Sequence, residues 1–276
     1  MKIIITHTGQ WRYSNESLES FENQVLAPLR NDGHEIHLTA KYWKIDFTAQ
    51  LLSEVDDYSL LASKYCKSLK IEWVEENILN APNSFELIQH VDKLQYYRLF
   101  KMLELVFNDI VSDHLDADLV IRSRNDLIYL NVLNIPKKID FDSLYIPPIE
   151  GHEEIPYDPR YVCNDQIALG NIKVMTTYLN LIKQTSTEIK YLEQCNIEKN
   201  GNLHGIEGIL REYLDINKIK VKNLNLIYYI YGKKTQYLKF FISKNIPRIL
   251  INLKSTIFKR IVFKVLRRCF RSLYGL

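Results

Sequence analysis

The chain opens on Lys2-Ile3-Ile4-Ile5-Thr6, a short apolar run of β-branched residues that predicts a strand, followed by the polar loop Thr8-Gly9-Gln10-Trp11-Arg12 in which Gly9 permits a close turn. The apolar period then lengthens. Leu18, Phe21, Val25 and Leu29 fall on one face at helical spacing and predict a helix over 17–29, stopped by Asn31-Asp32-Gly33. Short strands are predicted at 34–39 and 70–74. Over 84–109 the positions Leu87, Val91, Leu94, Tyr97, Leu103, Val106 and Phe107 make a broad apolar stripe, which predicts one or two helices. Leu119-Val120-Ile121, bounded by Asp118 and Arg122, suits a strand covered on both faces. A further strand is predicted at 143–147, then a polar, proline-bearing loop at 151–161. In 161–170 the cluster Asn164-Asp165-Gln166 interrupts an apolar segment, and such groups need partners or a ligand if buried. Helices are predicted at 174–181 and at 205–214, the latter with Ile206, Ile209, Leu210 and Leu214 inward.

Helices alternating with short apolar strands predict an α/β fold, a largely parallel sheet flanked by helices. In open sheets of that kind ligands bind beyond the carboxyl ends of the strands, so Arg122-Ser123-Arg124-Asn125-Asp126 occupies a site position. Strand alternation would put Arg122, Arg124 and Asp126 on one face. Surface ion pairing is the plain alternative for the arginines.

Composition narrows the setting. Apolar content of 46% and charged content of 25% in 276 residues are those of a soluble globular chain. The apolar run after Met1 is too short for a secretory signal. The four cysteines, Cys66, Cys163, Cys195 and Cys269, are scattered without a Cys-x-x-Cys pair, which suggests neither zinc nor a disulfide framework and points to a reducing cytoplasm. The histidines lack metal-ligand spacing, and there is no P-loop or Ser-His-Asp signature.

The net charge of +3 conceals a division: from Ile216 onward there are fifteen Lys and Arg and no Asp or Glu, so the body before it carries −12. Within the tail, Phe258, Val262, Val265, Leu266, Cys269, Phe270 and Leu273 share one broad helical side, and Arg260, Lys264, Arg267, Arg268 and Arg271 the other, with Lys259 the exception. That is the pattern of a basic amphipathic helix lying on an anionic membrane surface. No apolar run reaches the roughly 18 residues of a span. A terminal helix packed on the acidic body and a nucleic-acid contact are the alternatives. The resulting division is a domain over 1–221 and a basic helical membrane-association region over 222–276.

Taken in order, the first strand, its Gly9-Gln10 and Arg12 loop, the helix bearing Gln95 and Arg98, "DLVIRSRND", "NDQIALGN" and "GIEGILREYL" resemble the bacterial glycosyltransferases of surface-polysaccharide loci, in particular the WavE-like and related proteins with an Arg-x-Asp motif. The resemblance spans residues 1–221. It implies a GT-A-like, Rossmann-type fold in which a nucleotide-sugar lies over the carboxyl ends of the sheet. Together with the basic tail it gives the expectation of transfer to a lipid-linked oligosaccharide, lipopolysaccharide or capsule acceptor at the cytoplasmic membrane face, with no nucleic acid as partner. Gly9, Gln10, Arg12, Gln95, Arg98, Arg122, Arg124 and Asp126 are the implied donor-binding residues. Asn164, Asp165, Gln166 and His204 are those for the acceptor. Asp165 and Glu207 are the candidates for the base that an inverting enzyme needs to take the acceptor proton.

Most such enzymes carry Asp-x-Asp to hold a divalent metal; here the triplet is Arg124-Asn125-Asp126. Both a single-carboxylate site for Mg²⁺ or Mn²⁺ on Asp126 and metal-free transfer, with arginine meeting the leaving charge, stay open. Plain alternatives stand beside each candidate: a solvated helix face for Gln95 and Arg98, an Asx turn for Asp165, a dipole-favoured first-turn carboxylate for Glu207. The alternative function is a non-enzymatic membrane- or nucleic-acid-binding module on a nucleotide-binding-like α/β domain.

Overall fold

The structure, a computed structural model, describes residues 1–44, 48–79, 93–136, 138–147, 165–181, 186–200, 205–226 and 228–230. The predicted amphipathic helix at 258–276 and the candidates Asn164 and His204 lie outside these residues, as does the start of the helix predicted from residue 84. The described residues fall in one compact unit, Met1–Ile149 with Pro156–Tyr231.

In chain order, β1 (Lys2–Gly9) leads to α1 (Asn15–Phe21), which passes through a π-helical turn (Glu22–Leu26) into α2 (Ala27–Asn31). Then come β2 (Glu35–Trp43), α3 (Ala49–Tyr65), β3 (Cys66–Val74), α4 (Lys93–Asp113), β4 (Leu119–Ser123) and β5 (Leu127–Tyr129). The remainder is β6 (Ser143–Ile146), β7 (Ala168–Gly170), α5 (Ile172–Leu179), α6 (Ser186–Asn200), α7 (Gly205–Ile216), β8 (Lys220–Asn223) and β9 (Tyr228–Ile230).

Seven strands form one sheet in the order β3-β2-β1-β4-β7-β6-β8. β1 pairs parallel with β2 and β4, β2 with β3 and β6 with β8, while β7 runs antiparallel to β4 and β6. This is the mostly parallel, helix-flanked, Rossmann-type sheet expected from the sequence. Alternation sorts the core. Ile3, Ile5, Leu119 and Ile121 pack toward Phe21, Leu26, Tyr58 and Leu61, whereas Ile4 and Val120 pack toward Phe100, Leu103 and Val106 of α4. The Asp118 N–H donates to the Lys2 carbonyl, so the chain leaving α4 is at the amino edge of the sheet and the start of α4 is at the carboxyl edge.

The helix predicted over 17–29 starts earlier because Ser14 and Ser17 form a capping box. Its middle is π-helical beside Pro28. Proline has no N–H for the Gln24 carbonyl four residues back, and the Leu133 N–H takes that acceptor at 2.8 Å. α3 and α6 had no counterpart in the sequence reading. α3 carries Leu51, Val55, Tyr58 and Ala62 at helical spacing behind a Thr48 cap, a pattern that was legible. α6 buries Glu193 and Asn196 beside Ile189 and Leu192, so its inner face does not look apolar. β8 runs through Asn223, and β9 pairs with β5, so residues after Val221 complete both sheets.

Candidate functional site

The strand order reverses between β1 and β4: β1 is flanked by β2 on one side and β4 on the other. At that switch point the Gly9 loop and the Arg124 stretch meet, at the carboxyl ends where open sheets bind their ligands. Gly9 has φ of +123°, a conformation only glycine adopts freely, and it turns the chain out of β1. The loop brings Arg12 back over the sheet, where Nη1 donates to Asp126 Oδ2 at 3.4 Å and Nη2 to Gln10 Oε1 at 3.1 Å.

β4 stops at Ser123, and residues 125–126 form a turn before β5. The alternation that would have put Arg122, Arg124 and Asp126 on one face therefore ends before it reaches the carboxylate. The turn instead closes Arg124 on Asp126, Nε donating to Oδ1 at 2.9 Å and Nη2 to Oδ2 at 2.7 Å, a two-pronged pair around a carboxylate only 1% exposed. Burial works against the Arg124 charge, and Asp126, with Asp165 and Tyr228 near, more than offsets it, so its pKa stands above the ordinary value.

Asp165 and Gln166 sit half-buried just before β7, and Glu207 half-buried in the first turn of α7. Burial pushes the Glu207 carboxyl up to about 8, and the adjacent Asp165 charge pushes the same way. Three stretches far apart in sequence, around residues 124, 165 and 207, thus converge electrostatically at one end of the sheet.

Arg122 stands apart from this group. It is fully buried, and among the described residues none of its three guanidinium nitrogens has a hydrogen-bond partner. Arg98 lies on α4 with its guanidinium 5.3 Å from the centre of the Trp43 ring, a cation–π contact at the end of β2. Gln95 is in the first turn of α4, and its side chain is outside the described residues.

Several residues at this end were not picked out from the sequence. His7, on β1, donates to or accepts from the Tyr58 hydroxyl through Nδ1 at 2.8 Å, and burial, with the Arg122 charge, lowers its pKa to about 3, so it is neutral. Its signal was present as Thr6-His7-Thr8, a polar ending on an apolar strand. Tyr228 is brought near Arg124 by the β5–β9 pairing, a proximity across about a hundred residues that no local pattern announces.

The metal expectation meets a full carboxylate. Both Asp126 oxygens accept from guanidinium groups, and among the described residues no group of three His, Cys, Asp or Glu side chains is placed to hold a cation. The described residues therefore do not fit a divalent ion at Asp126.

No family model and no curated protein matches the chain. Among solved structures, the galactosyltransferase LgtC in complex with donor and acceptor sugar analogs is similar, at 14% identity and a TM-score of 0.39, over 81% of this chain and 73% of that one. A likeness that slight transfers none of that enzyme's residues or sugars.

Proposed function

We propose that the chain is a glycosyltransferase, moving one sugar from a nucleotide-sugar to the hydroxyl of a lipid-linked oligosaccharide, lipopolysaccharide or capsule acceptor at the cytoplasmic face of the membrane. The observation that carries this reading is the carboxylate pair Asp165 and Glu207 beside the Arg124–Asp126 pair, at the carboxyl ends of a switch-point sheet. Glycosyl transfer makes the bond from the acceptor oxygen to the anomeric carbon and breaks the bond from that carbon to the phosphate oxygen. It asks for a base on one side and cations on the other.

Glu207, with its pKa near 8, is the base: it takes the acceptor proton while remaining close in pKa to neutral conditions. Asp165 holds acceptor hydroxyls and sets the Glu207 proton affinity. Arginine meets the charge that the departing nucleoside diphosphate acquires, and Asp126 holds Arg124 and Arg12 in place at this end of the sheet. No step is routed through a metal, and transfer should persist in chelator. Complete loss restored by Mn²⁺ would show that Asp126 has further carboxylate partners.

The test is turnover of a panel of nucleotide-sugars with a glycan acceptor by the wild-type chain and by Glu207→Gln. Transfer by the wild type and at least a hundredfold loss in the variant, the lower end of the range for one general base, is the expected result. Absence of any sugar transfer or donor hydrolysis would favour a non-enzymatic binding module.

A further inference from the structure

We propose that Arg122, together with the hydroxyls of Thr6, Thr8 and Thr39, is a seat for a phosphoryl anion, and that the diphosphate of the donor is the group it receives. The identity of that anion's owner rests on the glycosyltransferase reading; the seat itself does not.

The argument starts from an uncompensated charge. A guanidinium does not shed its proton inside a protein, and burying one without a partner costs several kcal/mol. Arg122 is nevertheless fully buried and, among the described residues, forms no ion pair and finds no acceptor for any of its three nitrogens. The contrast with Arg124 two residues on is direct, since that side chain gives both its prongs to Asp126. Arg124 is thus a positioning residue for a carboxylate, and Arg122 is the cation left open.

Its surroundings are built for the same purpose. Register places Arg122 beside Thr6 of β1, and Thr6 beside Thr39 of β2. Alternation puts Arg122 on the face of Val120, and Thr6 and Thr8 on the face of Ile4, the side covered by α4. Thr6, Thr8 and Thr39 are all buried, and among the described residues the hydroxyl of each lacks a hydrogen-bond partner. Four unsatisfied polar side chains in adjoining positions at the β1–β4 switch point are a donor set awaiting an acceptor. A carboxylate presents two oxygens. A phosphoryl group presents three, enough to take the guanidinium fork and the hydroxyls together.

The probe is inorganic pyrophosphate, with malonate as the carboxylate control, read by thermal unfolding and by calorimetric titration of the full chain. Pyrophosphate should raise the wild-type Tm with concentration, and malonate should raise it far less. Arg122→Met should lose the pyrophosphate shift while unfolding, without ligand, at a temperature equal to or above wild type, because removing an unpaired buried charge removes a cost. Thr6→Val should fold normally and bind pyrophosphate more weakly, by about tenfold or more for one lost hydrogen bond to a charged group. The proposal is overturned if Arg122→Met binds pyrophosphate as wild type does, if it fails to fold, which would mean an internal partner for the guanidinium, or if the wild type shows no shift. Pyrophosphate binding through Arg122 in a chain that transfers no sugar would keep the seat and discard the glycosyltransferase.

Discussion

At the scale of single residues, the proton on Glu207 is the most direct handle. Its pKa of about 8 means that transfer should climb with pH and level off above that value, because the base works only once it has lost its proton. Asp165→Asn removes the neighbouring charge that helps raise it and should move the rising limb to lower pH, measured as kcat/KM against pH. An unmoved limb would detach Asp165 from the base. Stability follows the same linkage: a carboxyl raised from 4.5 to about 8 favours the folded state below pH 4.5 and loses that contribution as pH climbs to 8. Glu207→Gln should therefore gain Tm relative to wild type across that window and hold the gain above it. The Arg124–Asp126 pair is tested by a double-mutant cycle. Either alanine alone should cost about 1–3 kcal/mol, since it strands a charge-assisted partner, and the two together less than their sum. Additive losses would mean that the pair is not coupled.

At the scale of elements, the packing of α6 on α7 rests on a close approach. A Cβ at Gly208 would lie 2.5 Å from Oδ1 of the buried Asn196, so Gly208→Ala should destabilise the chain by about 1–3 kcal/mol as overpacking does. Asn196→Ala added to it should recover part of the loss in denaturant unfolding. The same pair explains why α6 escaped the sequence reading: its inner face carries Glu193 and Asn196, and Lys199 bonds to Glu212 of α7, so polar groups do the packing that apolar spacing normally announces. The helix over residues 15–31 was legible from Leu18, Phe21, Val25 and Leu29. Its π-helical centre was not, because the acceptor freed at Gln24 is claimed by Leu133, a residue no local pattern ties to it.

At the scale of the whole molecule, charge separates the body from the residues after Ile216, and the amphipathic pattern over 258–276 is proposed to attach the chain to an anionic surface. Among the described residues no helix is long and apolar enough to cross a membrane. Truncation before Phe258 should release the protein from vesicles containing anionic lipid while turnover of a soluble acceptor analogue stays near wild type. Salt should weaken vesicle binding by the full chain, since surface charges are screened over about 10 Å at 0.1 M. Retention of the truncated chain on vesicles would assign attachment to another part of the protein.

The sequence by itself determined the strands β1, β2, β3, β4 and β6 and the end of the sheet at which charged residues gather, because both are local matters: β-branched runs such as Leu119-Val120-Ile121, a turn at Gly9, and charged residues where a buried strand must end. It also singled out residues 122–126, 165 and 207. Only the tertiary structure decided what those residues do to one another. Whether an arginine is satisfied depends on which side chains the fold brings within about 3 Å. A single turn after Ser123 was enough to close Arg124 on Asp126 and leave Arg122, buried beside Thr6, without a hydrogen-bond partner among the described residues. Likewise, the proton affinity of Glu207 is a property of its burial and of Asp165, more than forty residues earlier, and neither is written in the residues beside it.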